Sequence, residues 1–135
     1  GAFLRGHLSE PLIHRVCNVG LGDARMIGAE LKAAPPVSSS SPLGDPCHSI
    51  QKEHDRLRVY RLGIQPDQTT GRISYDFYGL TVVLGAAVIS VEDELHNETL
   101  ISCSAGDAIW QSPRSNFTIS NLGQVEYRAI VAEWR

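Results

Sequence analysis

GLTVVLGAAVIS, residues 79–90, is the longest apolar run of the chain. It falls short of the ~20 residues needed to cross a bilayer. Val82, Val83, Val88 and Ile89 are β-branched, and Gly85 interrupts the run. The stretch therefore reads as two short strands, residues 80–84 and 87–91, joined by a turn. The same texture extends both ways. Upstream lies a strand at 57–64, whose imperfect alternation assigns Arg58 and Arg61 to solvent. The turn signal Gln65-Pro66-Asp67 and a strand at 73–77 follow. Downstream lie 99–102, 108–111, 117–120 and 128–134, mostly separated by turns carrying Gly, Asn, Asp or Pro. The acidic run Glu92-Asp93-Glu94, with His96 behind it, reads as a solvated hairpin tip. Residues 49–56 (SIQKEHDR) are the only stretch with helical character, a single turn at most. Many short strands without an amphipathic helix predict an all-β sandwich, jelly roll or small barrel.

The end of the chain repeats its beginning. Moved by 103 positions, Ser9 meets Ser112, Asn18 meets Asn121, Gly20 meets Gly123 and Arg25 meets Arg128. Ile27, Ala29 and Glu30 then meet Ile130, Ala132 and Glu133. Ordinary residue frequencies would give about one or two identities over this span. A fixed period implies a duplicated unit, and only the end of a first copy precedes residues 33–46 (AAPPVSSSSPLGDP). That Pro/Ser-rich stretch is a linker or strap. The expected organisation is a partial repeat at 1–32, the linker at 33–46 and one domain at 47–135, derived from a longer two-unit parent. The partial repeat is expected to supply edge strands at 12–17 and 24–32 around the turn NVGLG. Gly20 and Gly22 imitate a dinucleotide loop, but Arg25 stands where the third glycine belongs and no helix pattern follows. Unpaired edges find partners, so a homodimer is expected.

Composition excludes more than it selects. With 20% charged residues, a net charge of −3 and no basic stripe, nothing in the sequence argues for nucleic acid as a partner. Nor is a membrane partner expected. Cys17, Cys47 and Cys103 are odd in number and widely spaced, which predicts free, mostly buried thiols in a reducing compartment, the cytoplasm being favoured.

Three stretches resemble the cupin superfamily. His54-Asp55-Arg56-Leu57-Arg58-Val59 is similar to its first framework strand. Residues 66–71 (PDQTTG), running on to Tyr78-Gly79-Leu80-Thr81-Val82-Val83-Leu84, resemble its first motif. Ala105-Gly106-Asp107, Trp110, Pro113 and Asn121-Leu122-Gly123 resemble its second. The resemblance implies an RmlC-like double-stranded β-helix, and the repeated Asn-x-Gly turn implies a bicupin parent. It also implies where metal ligands would stand: histidines at 73, 75 and 117 and an acid at 79. This chain has Ile73, Tyr75, Phe117 and Gly79 there. No metal centre and no cofactor are therefore expected.

The pocket candidates that follow are Ile73, Tyr75, Phe117, Trp110 and Arg72. A phenol at Tyr75 would project into the barrel, Trp110 could stack on a ligand, and Arg72 could receive a carboxylate. His14 keeps the spacing of a second-motif histidine in the partial repeat but has no partner ligands. No nucleophile elbow, phosphate loop or HExxH motif occurs, which leans away from an enzyme. The expected function is non-catalytic small-molecule binding or a structural role. The alternative is a metal-dependent dioxygenase or isomerase with non-standard ligands, or one active only in the full-length bicupin.

Overall fold

The computed structural model describes residues 15–38 and 41–135. Nine strands follow in chain order. They are β1 (His48–His54), β2 (Leu57–Ile64), β3 (Ile73–Tyr75), β4 (Tyr78–Val83), β5 (Ala87–Glu92), β6 (Glu98–Cys103), β7 (Ala108–Gln111), β8 (Arg114–Asn121) and β9 (Tyr127–Trp134). One sheet has the order β1-β2-β9-β4-β7, the other β3-β8-β5-β6, and every pairing is antiparallel. The fold is all-β, as the sequence predicts.

Alternation decides which side chains enter the interior. Along β9, Tyr127, Ala129, Val131 and Glu133 are buried while their neighbours are more exposed. On β2 the inward set is Arg58, Tyr60, Leu62 and Ile64. Arg58 is thus not on the solvent face assigned to it. It stands opposite Glu133 on β9 and Glu53 on β1, and its guanidinium bonds both carboxylates at 3.2 and 2.7 Å. The Tyr60 hydroxyl donates to Glu133 at 2.8 Å, completing the network. A buried charge survives only when paired in this way. Arg61, its outward neighbour, is half-exposed as expected.

The single helical turn considered for 49–56 does not form. His48–His54 is a strand paired with β2, with a bulge between Ile50 and Lys52. Cross-strand pairing with a long neighbour outweighs weak local propensity. The first repeat also differs from expectation. Residues 12–14, His14 among them, lie outside the described residues, and 15–17 and 24–32 form no strand. No adjacent strand is paired with them to satisfy their backbone groups. Cys17 is exposed, Cys47 half-buried and Cys103 buried; none forms a disulfide.

Turns follow the residues that specify them. Asn121 accepts from the Gly123 amide and donates to the Val125 and Ile64 carbonyls, all within 2.9 Å, at a fully buried position. Asn18 in the first repeat makes two of the same bonds, accepting from Gly20 and donating to the Gly22 carbonyl. Gly106, at φ 95°, turns β6 into β7, where Asp107 accepts from the Ser104 amide at 2.7 Å. The acidic tip between β5 and β6 is closed by Asp93, which accepts from the Leu95 and Asn97 amides.

Candidate functional site

A cavity of about 460 Å³ opens between the two sheets. Leu62 and Tyr127 reach it from β2 and β9, Ile89 and Val91 from β5, and Phe117 and Ile119 from β8. Period-two alternation places Ile89 and Val91 on one face of β5, and Phe117 and Ile119 on one face of β8. Ile109, Trp110, Gln111 and Arg114 surround it where β7 passes into β8.

Tyr75 is a buried polar residue of the wall. Its hydroxyl lies 2.6 Å from Nε2 of buried His48, whose Nδ1 faces both Asp45 carboxylate oxygens at 2.8 and 2.9 Å. Asp45 can only accept, so Nδ1 carries the proton, and the phenol donates to Nε2. Burial pushes the Tyr75 phenol well above its ordinary range, with the Asp45 charge adding to the effect. The hydroxyl is therefore a fixed hydrogen-bonding group and not a base at neutral pH. Burial lowers the His48 pKa, against the pull of Asp45. Phe77 stacks on Tyr75 at 5.1 Å and Phe117 meets it edge-on at 5.0 Å, which locks the ring.

Gln111 provides the second polar feature. Its Oε1 accepts from Thr81 Oγ1 at 3.0 Å, while its buried Nε2 has no partner among the described residues. Gly79, opposite Gln111 in the β4–β7 register, makes room for that amide. A Cβ at 79 would lie 3.2 Å from Nε2 and 2.6 Å from the Ala132 carbonyl oxygen.

The sequence candidates separate into two groups. Tyr75, Phe117 and Trp110 line the cavity together, with Trp110 at its rim, 55% exposed and edge-on to Trp134. Arg72 and Ile73 instead border a shallower depression of about 300 Å³ with Leu43 and Asp45. Arg72 donates to the Asn116 carbonyl at 3.1 Å and pairs with Glu92, so it does not face the barrel interior. Sequence reasoning missed His48, Asp45, Thr81, Gln111 and Arg114. Asp45 sits in the Pro/Ser-rich stretch and His48 beside the supposed helical turn, so neither carried a local signal. The register opposite Gly79 is what singles out Gln111, and it is visible only once β4 and β7 are paired.

The fit of a metal can be judged from the donor set. Among the described residues, the cavity lining contains no imidazole, thiolate or carboxylate, and no cluster of three metal-ligating side chains occurs. The residues present do not match a transition-metal site of the cupin kind. No helix among the described residues is long and apolar enough to cross a membrane.

No protein-family model matches the chain, and neither does any curated protein. Solved structures do. The chain is similar to a cupin domain from Bordetella pertussis Tohama I, with 14% identity and a TM-score of 0.61, over 65% of this chain and 91% of that one. It is also similar to an RmlC-like cupin family protein with a double-stranded β-helix fold from Methanocaldococcus jannaschii. There the identity is 7% and the TM-score 0.52, over 78% and 93% of the two chains. The architecture is that of the cupin double-stranded β-helix, and at these identities the likeness extends to fold alone.

Proposed function

We propose that this cupin-fold chain binds a small organic molecule inside its barrel and does so without a metal ion. The observation that carries the reading is the cavity, which combines about 460 Å³ of mostly apolar space with one buried amide N–H lacking an acceptor. Small-ligand sites commonly occupy about 300–1,000 Å³ and pair apolar walls with a few placed polar groups. Tyr75, Phe117 and Trp110 form part of the wall.

Ligand-observed NMR with small apolar fragments tests this reading. The comparison is between the native chain and Ile101→Trp, which fills the cavity from β6, with circular dichroism verifying that the variant is folded. Fragments that bind the native chain should lose binding in the variant. Equal binding to both would contradict the reading.

A second role, self-association, is favoured by the arm preceding the barrel. Val19, Leu21 and Met26 are all at least 70% exposed there, and burying such apolar side chains against a second copy would be favourable. Sedimentation should show a concentration-dependent homodimer. A monomer at every concentration would refute that role.

A further inference from the structure

We infer that the cavity ligand is an amphipathic organic anion, an apolar body carrying one carboxylate held between Gln111 and Arg114. This rests on the ligand-binding reading above and specifies the chemistry of the same site.

Gln111 ends β7 and Arg114 begins β8, so the two bracket Ser112-Pro113, and all four residues line the cavity. Thr81 occupies the Gln111 carbonyl oxygen, which turns the amide nitrogen toward the space over Gly79. That nitrogen is a buried donor without an acceptor, and such a group calls for one from a ligand. Arg114 forms no ion pair among the described residues. Its guanidinium lies 4.9 Å over the Phe117 ring, a cation–π contact that holds it against the cavity wall.

Among the described residues no carboxylate lines the cavity to compete for this cation. The Asp93 carboxylate does feel Arg114, but more weakly than its own bonds to Asn97 and Leu95. Arg72 is already occupied by Glu92 and the Asn116 carbonyl. The site therefore offers one free positive charge and one unanswered N–H beside a wall of Leu62, Ile89, Val91, Ile101 and Ile119. A neutral hydrocarbon would leave the amide unanswered, and a dianion would find no second cation among the described lining residues. A monoanion with an apolar tail satisfies both groups.

Octanoate and 1-octanol, nearly equal in size and differing in the charged head, form the test pair. Each is titrated calorimetrically into the native chain, Arg114→Gln, Arg114→Lys and Gln111→Glu, with the fluorescence of rim residue Trp110 as a second readout. Octanoate should bind the native chain about tenfold more tightly than octanol. Arg114→Gln should remove that advantage, Arg114→Lys should restore part of it, and Gln111→Glu should repel octanoate while sparing octanol. Equal binding of both ligands, indifferent to residue 114, would overturn the anion proposal and leave the cavity reading standing. Binding of neither would overturn both.

Discussion

Replacing Tyr75 by Phe isolates the polar relay in the barrel wall. The ring contacts with Phe77 and Phe117 at 5.1 and 5.0 Å survive the change, so the apolar core loses almost nothing. What disappears is the hydroxyl 2.6 Å from His48 Nε2, whose side chain has no solvent exposure. Water cannot replace it, and the imidazole is left with a buried unsatisfied acceptor. Such a loss costs about 1–3 kcal/mol, and the depth of this site argues for about 2 kcal/mol. With a urea m-value of about 2 kcal/mol/M, the unfolding midpoint should fall by about 1 M at pH 7.5.

The size of that loss depends on pH. Burial keeps the His48 pKa below the ordinary imidazole value. The unfolded chain therefore binds a proton here more readily than the folded one. The stability His48 contributes is complete above about pH 6.5 and is lost as the pH falls through the folded-state pKa. The Tyr75 hydroxyl favours the neutral ring by donating to Nε2, so Tyr75→Phe raises the folded-state pKa and flattens this dependence. The gap between native chain and variant should be widest at pH 7.5 and narrow toward pH 5.5. A midpoint unchanged within about 0.2 M at pH 7.5, or a gap that widens on acidification, would refute the relay.

Other substitutions probe separate parts of the account. Asn121→Ala removes three bonds at a fully buried turn and should cost about 3 kcal/mol in urea unfolding, whereas Asn18→Ala, in the exposed copy of that turn, should stay within about 0.5 kcal/mol. Gly79→Ala drives a Cβ to 2.6 Å from the Ala132 carbonyl oxygen and should destabilise by about 3 kcal/mol, seen as a fall in Tm of roughly 10 °C. Glu133→Gln breaks the buried pair with Arg58 and should lower stability by about 3 kcal/mol, with a loss below 1 kcal/mol counting against that network.

Much of this architecture is legible in the sequence because β-structure announces itself locally. The run at 79–90 contains two strands because Gly85 breaks it, and Asn121-Leu122-Gly123 and Gly106-Asp107 specify turns through bonds made within a few residues. What escaped depends on partners distant in sequence. Arg58 reads as a surface residue until Glu133, 75 positions later, stands opposite it. His48–His54 reads as a poor helix until β2 pairs with it. Residues 24–32 show the converse, since they match β9 in sequence yet form no strand without the flanking strands that β9 has in β2 and β4.

The candidate site divides along the same line. Tyr75, Phe117 and Trp110 could be placed in the barrel from the resemblance and strand alternation, and they line one cavity. Arg72 and Ile73, next to them in sequence, belong to a different depression. Gln111 becomes significant only through the cross-strand vacancy at Gly79 and the bond from Thr81.

Native mass spectrometry of chelator-treated protein tests most directly the claim that the barrel is an organic-ligand site independent of metal. Octanoate added to the metal-free chain should give a one-to-one adduct that Ile101→Trp abolishes. A chain that retains a stoichiometric transition metal, or that binds octanoate only after metal is restored, would contradict the account.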